Sequence, residues 1–255
     1  TVGWKGLIND PYLNFTYEVN DGLKMARELL VRINELGLPC AYEALDTITP
    51  QYISDLISWG AVGARTVESQ VHRQMVSGLS MPIGFKNSTL GDKKVARDAI
   101  LSAKYPHCFM GITDEGIPAI CKTRGNLLCH AILRGGKDVT NYSMSDVMEM
   151  CSLLKDKDLF QRVMIDCSHD NSKKDYTKQK DVLNSVIKTL EYTNKIMGVM
   201  IESNLEEGKQ CITQGKLNLK KGVSVTDGCI GIKETERIIL NAHKQLQFYN
   251  KFIKY

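Results

Sequence analysis

The sequence predicts an α/β protein of the (β/α)8 TIM-barrel class, and three observations carry that expectation. Short apolar runs alternate with amphipathic stretches of helical spacing along nearly the whole chain, a pattern that specifies a parallel sheet. No GxGxxG follows a predicted strand and no P-loop is present, which weighs against the common open nucleotide-binding sheets. Glu43, Arg65, Lys86, Arg134, His169 and Glu202 stand at or just past the ends of successive apolar runs. In a barrel such strand ends converge on one mouth, where chemistry is done.

The elements follow in order. Residues 21–36 carry apolar side chains at Leu23, Ala26, Leu30 and Ile33, and Gly37 with Pro39 ends that helix. A buried run, 40–45, comes next. Thr49-Pro50 offers an N-cap and first-turn pair for a helix reaching Trp59-Gly60. Further strands are expected over 61–66, 81–86, 107–112, 129–133, 163–167 and 196–201, and helices over 68–77, 93–103, 143–154, 178–193 and 233–249. Residues 113–128 are polar and glycine-rich and read as an inserted hairpin or loop over the mouth.

Composition bounds the class. At 255 residues with 43% hydrophobic and 24% charged residues, the chain suits one large α/β domain, here residues 1–255. The net charge of +4 is dispersed, and the lysines at 173, 174, 178 and 180 are interleaved with acids and lack aromatic partners. They read as a solvated helix face, so no nucleic-acid partner is expected. The eight cysteines are scattered without a CxxC pair, which favours free thiols and a reducing, cytoplasmic setting. No apolar stretch approaches the ~18 residues that span a bilayer; neither a signal peptide nor a membrane partner is expected. The first residue is Thr rather than Met.

Two constellations carry chemistry. Arg65 in GARTVES, Lys86 in GFKNST and Arg134 in ILRGG offer two planar guanidinium forks and a compact ammonium, suited to a substrate bearing phosphate and carboxylate groups. The competing reading pairs each with a surface acid. His169 in MIDCSHDNS, Glu202 in GVMIESN and Asp227 in SVTDGCIG make a mixed nitrogen and oxygen donor set for a divalent metal acting as a Lewis acid. A lone histidine is more often a satisfied core residue. His72 lies in a predicted helix, and His107, His130 and His243 show no obvious polar company, whereas Ser168 and Asp170 flank His169.

Seven segments in order extend these patterns: GWKGLINDP, ITPQYISDLISWGAVGARTVESQVHR, PIGFKNST, LRGG, MIDCSHDNS, GVMIESNLEEG and SVTDGCIG. Together they resemble type I 3-deoxy-D-arabino-heptulosonate 7-phosphate synthase over essentially the whole chain. The resemblance implies an aldol-type condensation of phosphoenolpyruvate with erythrose 4-phosphate, the first step of the shikimate pathway to the aromatic amino acids. It implies that Arg65 and Arg134 hold the phosphate of phosphoenolpyruvate beside the Gly63 and Ala64 backbone. Lys86 would hold the carboxylate and share in proton transfer, and Glu43 would act near the substrate through water. His169, Glu202 and Asp227 match three of four metal ligands, for manganese, iron, zinc or cobalt. The resemblance further implies a homodimer or homotetramer and an aromatic amino acid effector. Asp46, Gln51 and Ser80 fall at positions of the effector cavity, while Ala44, Thr47 and Met75 depart from the phenylalanine-sensitive pattern.

The sequence also departs from the family. The fourth ligand, a cysteine in a GPCSxHD-like motif, and the KPRT-like clamp for the aldehyde's phosphate are absent. The barrel strands expected here are numbers 3 to 8, and six strands would leave two open edges. Little synthase activity is therefore expected of this polypeptide alone. Cys167, two residues before His169, is a candidate replacement ligand if both lie on an extended strand. The alternatives are a catalytically impaired paralogue acting as a binding or assembly subunit, and a condensing enzyme using another sugar-phosphate aldehyde.

Overall fold

A computed structural model describes residues 4, 6–113, 115–212 and 218–250. Gly3 and Lys5 of the opening motif, and Asp114 of the expected insert, lie outside the described residues. The elements run α1 (Val19–Glu35), β1 (Ala41–Glu43), α2 (Pro50–Ile53), β2 (Trp59–Val62), α3 (Gln70–Val76), β3 (Ile83–Lys86) and α4 (Lys94–Lys104). They continue with β4 (Cys108–Ile112), β5 (Pro118–Lys122), β6 (His130–Leu133), α5 (Met144–Lys155), β7 (Val163–Asp166) and α6 (Gln179–Thr189). The last are β8 (Ile196–Met200), β9 (Ser203–Asn204), β10 (Ile230–Gly231) and α7 (Ile232–Asn250). β1, β2, β3, β6, β7 and β8, with the helices between them, are six strand steps of a (β/α)8 barrel. No helix among the described residues is long and apolar enough to cross a membrane.

The chain forms two compact units, Thr1–Ile132 with Ser152–Gln161, and Leu133–Cys151 with Arg162–Tyr255. In the first, β1, β2, β3 and the start of β6 lie side by side and parallel. Their register sets Glu43 level with Ala61, Gly84 and His130, and Lys86 level with Ile132. Side chains alternate along a strand, so Glu43, Gly63 and Lys86 belong to one face. Val62, Phe85 and Ile132 belong to the core, together with Val76, Ala99 and Ala103. Each fully buried Ile or Phe stabilises the fold by roughly 1.5–3 kcal/mol.

In the second unit β7 pairs in parallel with β8, with a bulge between Val163 and Met164. β9 pairs in parallel with β10. Val147, Met150, Ile165 and Val186 are fully buried there.

Several local expectations need correction. Thr49 does not cap α2 through its side chain; its hydroxyl and backbone N–H both donate to Asp46, which also accepts from Ile48 N–H. α2 lasts one turn and passes into a 3-10 turn, Ser54–Leu56. The strand expected at 61–66 starts at Trp59 and stops at Val62, because Gly63 carbonyl accepts from Thr66 and Val67 in a turn. Residues 108–112 are not a parallel strand: they pair antiparallel with Pro118–Lys122, so the hairpin begins earlier than expected. α1 ends as anticipated, with Gly37 at φ +77 and its N–H bonded to Asn34 carbonyl.

None of the eight cysteines is joined in a disulfide. Burial pushes the Cys129 and Cys167 thiols up to about 12, so neither offers a ready thiolate.

Candidate functional site

Three strand and turn ends of the second unit bring His169, Glu202 and Asp227 together. One donor atom from each lies within 4.8 Å of the others. His169 Nε2 is 3.8 Å from Glu202 Oε1 and 3.8 Å from Asp227 Oδ2. β7 stops at Asp166, and His169 sits three residues on with φ 46, a left-handed turn that costs a non-glycine residue energy. That turn removes the expected extended relation between Cys167 and His169. Cys167 is wholly buried and is not part of the group.

A set of side chains orders these three. Asp166, wholly buried, accepts from Ser168 N–H through Oδ1 at 2.9 Å, while its Oδ2 lies 2.8 Å from His169 Nδ1. The Ser168 hydroxyl donates to Glu202 Oε2. Gln179, the buried first residue of α6, donates to Glu202 carbonyl at 3.0 Å and accepts from Glu202 N–H at 2.7 Å. Burial raises the Glu202 carboxyl above its ordinary value; His169 and the Ser168 hydrogen bond lower it, and Asp227 and Asp166 raise it again. One imidazole among three carboxylates leaves excess negative charge, and one nitrogen with two oxygens is a donor set that suits a divalent transition metal. The residues present therefore fit such an ion.

Arg134 follows β6, buried, and its guanidinium pairs with Asp170. Asp170 is itself largely buried, so this partner is not the surface acid of the competing reading. The turn after Arg134 depends on Gly135: φ is +78, and a Cβ there would lie 2.7 Å from Asn171 N. Gly135 N–H donates to Asn141 Oδ1 at 2.7 Å, and Asn141 N–H to Asn171 Oδ1 at 2.8 Å. Asn171 in turn donates to the Leu133 and Asp166 carbonyls. This chain of amides ties the Arg134 turn to the His169 turn.

In the first unit the Glu43 carboxyl rests against Gly63, where a Cβ would lie 2.2 Å from Oε1. Lys86 ends β3 buried; Ala64 is half-buried and Arg65 is exposed in the turn after β2. Asp46 is engaged by Ile48 and Thr49, Gln51 donates to Ile112 carbonyl at 3.0 Å, and Ser80 is exposed. The nearby apolar pocket is lined by Tyr42, Ala44, Ile53, Leu79 and Met81 among others, and not by these three.

Sequence reasoning missed Asp166 and Gln179. An acid three residues before the ligand histidine is a local signal; Gln179 gives none. It also left His130 and His107 without polar company. Trp59 indole donates to His130 Nε2 at 3.1 Å, and the His107 ring lies 2.8 Å from Ser102 carbonyl.

Strand steps of a (β/α) barrel carrying a histidine–carboxylate trio past the strand ends define a barrel protein with a candidate metal centre. The chain belongs to the DAHP synthetase I family, whose sequence profile matches residues 1–240. It is 53% identical over 240 residues to a phospho-2-dehydro-3-deoxyheptonate aldolase of Haemophilus influenzae, covering 94% of this chain and 66% of that protein. The Tyr-sensitive aldolase of Salmonella typhimurium is 50% identical over 247 residues, covering 96% of this chain and 69% of that one. The solved aldolase structure from Francisella tularensis superposes with a TM-score of 0.93 at 51% identity, covering 97% of this chain and 72% of that one. The chain thus spans about two thirds of the length of the curated relatives it matches.

Proposed function

We propose that this chain carries the phosphoenolpyruvate-binding residues and three metal ligands of a 3-deoxy-7-phosphoheptulonate synthase, condensing phosphoenolpyruvate with erythrose 4-phosphate. The observation that supports it most is the meeting of His169, Glu202 and Asp227 in a chain of this family. A divalent manganese, iron, zinc or cobalt ion held by those three would polarise the aldehyde carbonyl as a Lewis acid. Arg65 and Arg134 would bind the phosphate of phosphoenolpyruvate, beside the Gly63 and Ala64 backbone. Lys86 would bind its carboxylate and hold a proton on Nζ for transfer. Glu43, on the same sheet face as Lys86, would order a water near the substrate. Fixed cations would stabilise charge developing as the enol methylene attacks the aldehyde, water adds to the adjacent carbon and phosphate leaves.

Relatives named Phe-sensitive and Tyr-sensitive support an aromatic amino acid effector, with Asp46, Gln51 and Ser80 as candidate contacts. The reading of an impaired binding subunit is disfavoured by retention of all six residues Arg65, Lys86, Arg134, His169, Glu202 and Asp227. Calorimetric titration of the chain with Mn2+ and then phosphoenolpyruvate tests the proposal. Uptake of both is expected, with Mn2+ lost in His169→Ala and phosphoenolpyruvate weakened in Lys86→Ala. Binding of neither by the folded wild-type chain sinks it.

A further inference from the structure

We propose that Asp166 is a positioning residue that holds His169 in the tautomer with its proton on Nδ1, leaving the Nε2 lone pair for the metal; this deepens, and rests on, the metal-centre reading.

The argument is geometric. Asp166 is the last residue of β7 and its side chain is wholly buried. Oδ1 is engaged by Ser168 N–H at 2.9 Å. Oδ2 is 2.8 Å from His169 Nδ1, while Nε2 is the nitrogen turned to Glu202 and Asp227. The pair is a close charge contact rather than an in-line hydrogen bond; because a carboxylate only accepts, a proton on the ring nitrogen beside it is the arrangement that this contact favours. The opposite nitrogen is then an electron-pair donor, and the carboxylate behind the ring raises its basicity. His169 adopts a left-handed turn three residues after Asp166, and Asn171 Nδ2 donates to the Asp166 carbonyl at 2.9 Å. The orienting acid and the ligand therefore lie in one four-residue segment.

Asp166→Asn discriminates this role from bulk packing. Ser168 N–H donates toward Oδ1, so the amide oxygen of asparagine takes that place and its NH2 faces His169. The ring must then accept at Nδ1 and move its proton to Nε2, the wrong tautomer for a metal ligand. Long-range 15N–1H NMR of the metal-free chain, on the neutral imidazole, reads the tautomer directly. The expected result is Nδ1–H in the wild type and Nε2–H in D166N, with Mn2+ affinity lowered roughly 10–100-fold in D166N. An Nδ1–H tautomer with unchanged Mn2+ affinity in D166N overturns the proposal. Should D166N not fold, the wild-type spectrum decides alone, since Nε2–H there refutes it. A wild-type Nδ1–H ring in a chain that takes up no Mn2+ leaves Asp166 as the orienting acid and removes the metal-centre reading instead.

Discussion

The Ser168 hydroxyl donates to Oε2 of Glu202, so that Oε1 is the oxygen facing His169, 3.8 Å from Nε2. A carboxylate with one oxygen already engaged would offer the other as a single ligand to a metal ion. Ser168→Ala removes a hydrogen bond to a charged acceptor, a contribution of about 1.5–3 kcal/mol. Mn2+ affinity is expected to drop by roughly tenfold, with little change in secondary structure. Equal affinity in titrations of variant and wild type would show that Glu202 needs no such restraint.

Asp170 holds the Arg134 guanidinium that a phosphate would use. Asp170→Asn keeps a hydrogen-bonding oxygen but removes the competing charge. Phosphoenolpyruvate is expected to bind severalfold more tightly, at some loss of stability because a partly buried ion pair is broken. Calorimetry measures the first and urea unfolding the second. Weaker phosphoenolpyruvate binding in a folded variant would mean that Asp170 orients Arg134 rather than competing for it.

Gly135→Ala meets two obstacles at once: φ +78, and the Asn171 backbone nitrogen 2.7 Å from the new Cβ. The left-handed conformation alone costs about 1–2 kcal/mol, and the backbone contact must be relieved by moving the His169 turn. Loss of both stability and Mn2+ affinity is expected in urea and metal titrations. A variant losing stability alone would uncouple the two turns.

His130 supplies a pH test on a residue that is not a member of the candidate metal group. Burial lowers its pKa below 6.5, opposed by a hydrogen bond to Leu128 carbonyl. The folded state therefore binds fewer protons than the unfolded chain in the window between the lowered value and 6.5. Stability is fully present above 6.5 and falls as pH drops through that window, by at most about 1.4 kcal/mol per pH unit for one group. Urea midpoints of wild type and His130→Asn measured from neutral to mildly acid pH should converge as pH falls. Parallel curves would contradict the assignment.

Much of the fold was legible because period-2 and helical apolar patterns are local. β3, β6, β7 and β8 fell close to the expected spans, and Gly37 ended α1 for the expected reason. The candidate grouping of His169, Glu202 and Asp227 was legible because its members stand beyond apolar runs in motifs that resemble a known family. What failed depended on partners far along the chain or on backbone reversals. Thr49 prefers the Asp46 carboxylate to capping α2. Residues 108–112 look like any buried strand until Pro118–Lys122 pairs with them. His130 is 71 residues from the indole that satisfies it, and Gln179 is 23 from Glu202. The Cys167 idea assumed an extended chain through His169, which the left-handed turn denies.

Gln179 ties the first turn of α6 to both polar groups of the Glu202 backbone. Restraint at Glu202 is therefore restraint on the helix start. Occupancy of the centre should be readable away from it, as slowed amide hydrogen exchange over residues 179–183 when Mn2+ is added, and Gln179→Ala should erase that slowing. An ion too small to see in a protein's bulk properties would then leave its mark as a helix that opens less often.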